Sequence, residues 1–174
     1  MRFAKLIEDD VSQTNKQVNS LREKLADARV GDVEANVLEV VSYLDDCAEE
    51  LTKLRAHSET LNDYQNVLKQ AVTEFETLHD VVADHSLKTR LWTGLRDWAE
   101  LANGWNATEF HHIKPEDMER QVALFNKTAY QATKGIPGNG VGLLLAEQVA
   151  VFKPLVPIVV DLCNDALKER ASSA

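Results

Sequence analysis

The sequence predicts an all-α fold, an elongated antiparallel helical bundle of about five to six helices. Apolar residues recur at three- and four-residue spacing through most of the chain, which is the period of a helix with one buried stripe. No segment shows the period-two alternation that a half-buried strand requires. The prolines, with a glycine-rich stretch near residue 138, punctuate the periodic runs. At 174 residues the chain has room for one domain or for two small helical subdomains sharing a core. The expected division is an antiparallel helical hairpin over residues 1–70 and a second helical subdomain over residues 71–174.

The first helix is read from Ala4, Ile7, Val11, Thr14, Val18, Leu21 and Leu25, a seam of coiled-coil type that Gly31 should end. A second run, Val37, Val40, Val41, Leu44, Ala48, Leu51, Leu54, Ser58 and Leu61, keeps the same period. The short connection between the two makes them antiparallel neighbours. Thr73-Glu74-Phe75-Glu76 has the capping-box pattern, so a third helix should start at Thr73 and run towards Trp105. Its stripe turns by about half a turn between Phe75-Leu78-Val82 and Leu87-Leu91-Leu95-Trp98-Ala102-Trp105. The helix therefore either changes packing partner near Asp84-His85-Ser86 or breaks there. Pro115 suits the first turn of a fourth helix carrying Met118, Val122, Phe125 and Ala129. Lys134 to Gly142 reads as a loop, Val141 to Phe152 as a fifth helix, and Pro154 with Pro157 as the start of a last short helix reaching about Asn164.

Composition excludes some functions. With 28 acidic against 19 basic residues the formal charge is −9, which opposes binding to nucleic-acid phosphates or anionic membrane. No apolar run approaches the roughly 18 residues of a membrane span, and Met1-Arg2-Phe3 opens no signal-peptide core, so a soluble, cytoplasmic chain is expected. Cys47 and Cys163 offer neither a disulfide framework nor metal spacing and read as reduced, buried thiols.

Candidate chemistry is sparse. Gly138-Asn139-Gly140-Val141-Gly142 precedes a helix as phosphate loops do, yet no Lys-Ser or Lys-Thr follows and no strand precedes it. Glu76 with His79, and Glu109 with His112, have the Glu-x-x-His spacing of a di-iron four-helix bundle. Glu76 lies off its apolar stripe and serves better as a capping carboxylate, whereas Glu109, His111 and His112 fall in a loop between Gly104 and Pro115. Asp45, Asp46, Glu49 and Glu50 form a solvated acidic face, or a docking patch for a basic partner. Trp92, Trp98 and Trp105 lie on or beside an apolar seam and read as core anchors. No catalytic, cofactor-binding or metal-ligating residue is expected, and no cofactor.

A resemblance supplies what the chemistry does not. Phe152, Lys153, Pro157, Ile158, Leu162, Asn164, Ala166, Leu167, Lys168 and Arg170 stand in register with the linker region of dynein heavy chains. Upstream, Thr60-Leu61-Asn62, Val67-Leu68, Thr73-Glu74-Phe75, Leu78 and Leu91-Trp92 resemble the segment that precedes it. The likeness covers roughly residues 55 to 170, and residues 1 to 50 match nothing that can be named. Departures are Cys163 in place of Arg, Asp165 in place of Pro, and Ala171-Ser172-Ser173-Ala174 in place of His-Trp, as in a fragment with a short foreign tail.

The resemblance implies the end of the tail (residues 1–70) and the first part of the linker (residues 71–174) of a heavy chain, with axonemal wording in Pro-Ile-Val-Val-Asp-Leu-Cys-Asn. It implies a non-catalytic mechanical element whose partners are the motor ring of the same heavy chain and other dynein subunits. The ATPase modules lie elsewhere, and no direct microtubule contact, nucleic acid or membrane is implied. The place implied is the cytoskeleton, in a ciliary or flagellar axoneme. Two other readings rest on residues alone: a coiled-coil adaptor binding a partner helix along residues 1 to 61, and a di-iron enzyme.

Overall fold

The computed structural model describes residues 2–136, 138 and 140–172, with side chains as far as Lys168. Among them are six α-helices and no strand, as the periodicity predicts: α1 (Arg2–Leu25), α2 (Val37–Val67), α3 (Glu76–Asn106), α4 (Pro115–Gly135), α5 (Gly140–Ala150) and α6 (Leu155–Ser172). Short 3-10 turns occupy Ala28–Gly31 and Phe110–His112. The chain packs as two compact units, one of residues 2–31 and 38–89, the other of residues 32–37 and 90–172. Of the expected hairpin, residues 2–31 and 38–70 fall in the first unit, together with the first part of α3, whereas residues 32–37 fall in the second.

In the first unit, α1 buries Ile7, Thr14, Val18, Leu21 and Leu25 against the stripe of α2 that includes Val40, Leu44, Leu51, Leu54 and Leu61. Thr14 is tolerated there because its hydroxyl donates back to the Asp10 carbonyl at 2.8 Å. The helices run antiparallel, since Asp10 meets His57 at 3.3 Å while Lys24 meets Glu50 at 2.7 Å. The Tyr43 hydroxyl, further back along α2, donates to the Lys24 carbonyl at 2.8 Å, a second bond to an oxygen in the last turn of α1 that also accepts the Asp27 amide at 3.2 Å. α1 stops at Leu25, earlier than Gly31, because the chain tightens into the 3-10 turn that buries Val30.

The start of α3 departs from the capping-box reading. Thr73 does not open the helix: its amide donates to Gln65 Oε1 at 2.9 Å, and its hydroxyl accepts from Gln65 Nε2 at 2.7 Å. Buried Gln65, at the end of α2, has claimed the Thr73 groups that would have capped, so α3 begins at Glu76. Nor does α3 break at Asp84-His85-Ser86. It continues unbroken to Asn106, and its residues pass from one compact unit to the other between Thr89 and Arg90.

In the second unit, α4 packs against α5 and α6, and α6 also rests on the Phe110–His112 turn. α5 approaches α4 at Gly142, where a Cβ would stand 2.7 Å from Thr133 Oγ1 and 3.0 Å from its amide nitrogen. The predicted loop from Lys134 to Gly142 is shorter than expected, since α4 reaches Gly135 and α5 starts at Gly140; Pro137 and Asn139 lie outside the described residues. The last helix is longer than expected, 18 residues ending at Ser172, because residues 158–168 contain neither glycine nor proline.

The expectation that no run approaches a membrane span also changes. Gly140–Lys168 is long and apolar enough, by length and composition alone, to cross one. A turn at residues 151–154 divides it, and the 11 residues of α5 rise only about 16 Å, half of a ~30 Å hydrocarbon layer. α6 further carries Asp161, Asp165 and Lys168.

Candidate functional site

The best-built feature is an aromatic cluster where α3 meets the α5–α6 corner. Helical spacing puts Trp98 and Trp105 on one side of α3, two turns apart. The Trp98 ring meets Trp105, Phe125 of α4 and Phe152 of the corner edge-on, at centroid separations of 5.6, 5.3 and 5.4 Å. Phe152 also touches Trp105 at 5.4 Å. Trp98 is 2% exposed, and Trp92 and Trp105 are buried, as expected of core anchors. The tryptophans were legible as a seam, but no local signal showed that Phe125 and Phe152 join them.

The corner follows from two missing amides. Pro154 and Pro157 cannot donate to the carbonyls four residues back, so the chain turns through Phe152, whose amide bonds the Val149 carbonyl at 3.0 Å. The Leu155 amide bonds the Phe152 carbonyl at 3.0 Å, and α6 starts with Pro157 in its first turn, where an amide has no partner inside the helix. Of Ile158, Val159 and Leu162 on α6, only Val159 is buried; the other two are exposed.

Further along the first unit, α3 carries a polar clasp. Lys88 Nζ donates to the Leu25 carbonyl at 2.8 Å and to Asp84 Oδ2 at 2.8 Å, setting a cation at the C-terminus of α1 where the helix dipole favours it. His85 Nε2 lies 2.8 Å from the Leu44 carbonyl of α2. Neither contact has a sequence signal, because the partners are 63 and 41 residues apart.

The candidate metal ligands sort into two groups. Glu76 and His79 are exposed on the first turn of α3, with no third ligand beside them among the described residues. Glu109, His111 and His112 are brought together: one ligand atom from each lies within 4.8 Å of the others, and all three are exposed. The segment expected to be a loop is a 3-10 turn, held by the His112 amide on the Glu109 carbonyl at 2.9 Å and the Ile113 amide on the Phe110 carbonyl at 3.2 Å. The Cys163 thiol on α6 approaches the Ile113 carbonyl at 3.5 Å and the His111 carbonyl at 3.9 Å. Cys163 is thus half-buried, whereas Cys47 is buried as expected, and burial pushes its thiol pKa up.

Asp45, Asp46, Glu49 and Glu50 are exposed, with Glu50 paired to Lys24. That pairing holds the Lys24 ammonium above its ordinary range.

A family model described as dynein heavy chain, N-terminal region 2, matches residues 78–173, from the first turn of α3 through α6. The chain is 29% identical over 169 residues to human dynein axonemal heavy chain 6, covering 97% of this chain and 4% of that protein. It is 25% identical over 147 residues to mouse dynein axonemal heavy chain 1, covering 82% of this chain and 3% of the relative. Against the Chlamydomonas reinhardtii dynein-1-beta heavy chain of the flagellar inner arm I1 complex it is 27% identical over 124 residues, 71% of this chain and 3% of that one. No solved structure matches. The human relative aligns with nearly the whole chain, so residues 1 to 50, which resembled nothing by inspection, share the likeness. The chain spans only 3–4% of these relatives, and with more than half of its residues matching the family model it belongs to the dynein heavy chain family.

Proposed function

We propose that this segment is a non-catalytic mechanical element of a dynein heavy chain, the end of the tail and the first part of the linker, coupling ATP-driven changes in the motor ring to tail movement along microtubules. The observation that carries the reading is the family match over residues 78–173, which falls on α3 to α6 and includes the aromatic cluster and the proline corner. Close-packed aromatic cores deform little and suit an element that transmits force. The ATPase modules lie outside this chain in this reading, and the segment acts on no substrate itself.

The partners proposed are the motor ring of the same heavy chain and other dynein subunits, with no nucleic acid, membrane or direct microtubule contact. Exposed Leu143, Ile158, Leu162 and Leu167 support contact with further parts of the heavy chain, since only 22% of the most apolar stretch of α5–α6 is buried within this segment. The axonemal and flagellar names of the relatives support a place in the cytoskeleton of a cilium or flagellum.

The test is a full heavy chain carrying Pro154→Ala and Pro157→Ala. Restoring two helix donors lets α5 and α6 fuse and displaces Phe152. ATP hydrolysis should persist while microtubule gliding slows; unchanged gliding speed, with the straightened helix verified, refutes the mechanical reading.

A further inference from the structure

We propose that Glu109, His111 and His112 form a surface site for a borderline divalent transition-metal ion of the zinc class. Two imidazoles and one carboxylate are the donors that zinc, nickel and copper take, whereas calcium and magnesium take oxygen. The expectation of no metal ligand rested on a loop of unknown geometry, and the 3-10 turn now supplies that geometry.

Around a tetrahedral zinc with bonds of about 2.0–2.1 Å, adjacent ligand atoms stand roughly 3.3–3.4 Å apart. His111 Nε2 and Glu109 Oε2 are 3.1 Å apart, close to one edge of such a tetrahedron. The His111 and His112 rings have centroids 4.1 Å apart, and one ligand atom from each of the three residues falls within 4.8 Å of the others, a spread that side-chain rotation closes.

The backbone beneath is already fixed. His112 and Ile113 donate the turn's hydrogen bonds, Ile113 is buried, and the Cys163 thiol of α6 contacts the carbonyls on either side of His112. Binding therefore orders three side chains and leaves the chain path alone, which limits its entropy cost. Three protein ligands leave a fourth position open, so an exchangeable ion is expected.

The experiment titrates tag-free protein with zinc by calorimetry and with cobalt by visible absorption, at pH 7.5 and at pH 5.5. One saturable equivalent is expected, with a tetrahedral cobalt band, and binding should fall at the lower pH because both imidazoles must shed protons. His111→Ala and His112→Ala should each weaken zinc at least about tenfold, and the double variant should abolish binding. His79→Ala and Cys163→Ser should leave it within a factor of two or so. These variants alter exposed or half-buried side chains, and circular dichroism confirms that each is folded. No saturable binding, or binding that survives the double histidine variant, overturns the proposal. So does loss in Cys163→Ser alone.

Discussion

Trp98 and Phe152 meet edge-on with their ring centroids 5.4 Å apart, although 54 positions separate them in sequence. The contact ties α3 to the corner where α5 ends and α6 begins, and Trp105 and Phe125 complete the cluster.

Replacing Trp98 by Ala removes the ring common to three of these contacts and leaves a cavity. A loss of about 3 to 5 kcal/mol is expected in denaturant melts, the usual range for a buried aromatic. A loss under ~1 kcal/mol contradicts the cluster's structural weight.

Lys88→Met retains most of the apolar stem but removes the ammonium that bonds the Leu25 carbonyl and Asp84. The carbonyl at the end of α1 then lacks its charged donor, and stability should drop by about 1–3 kcal/mol. Hydrogen exchange at the end of α1 is the sharper readout: faster exchange around residues 22–25 is expected, and unchanged protection there contradicts the clasp.

Gly142→Ala places a methyl where the Thr133 side chain and backbone already stand, at 2.7 and 3.0 Å. The backbone cannot yield as a flexible side chain can, so α5 must shift from α4, at a cost of about 1–3 kcal/mol. Gly104→Ala is the control, because a Cβ there meets nothing within 4 Å. That control should be neutral or slightly stabilising, since alanine is the better helix former. Equal melting of the two variants rejects the close approach.

Cys47 and Cys163 should differ towards a thiol reagent. Cys47 is buried and its thiol pKa is raised, first by desolvation and then by the Glu50 charge, so its protonated form is favoured in the fold. That contribution to stability is fully present below the unfolded thiol pKa and is lost as pH rises through the higher folded one. Native protein should show one reactive thiol, Cys163, and a second only on unfolding. Two thiols modified at equal rates near pH 8 refute the burial.

By itself the sequence determined the helical class, the stripes of α1 and α2, and the tryptophan seam of α3, because each rests on spacing within one helix. It also determined the proline corner, since a missing amide acts on its own turn whatever surrounds it. It further carried the resemblance to dynein heavy chains over residues 55 to 170. Tertiary structure decided whatever depended on partners distant in sequence. Gln65 took Thr73 away from the capping box, Lys88 found Leu25, and Phe152 joined Trp98. It also turned Glu109, His111 and His112 from a stretch of loop into a cluster. Periodicity states which face of a helix is apolar, but which neighbour covers it, and which polar group reaches across, is chosen only when all the elements compete for the same space.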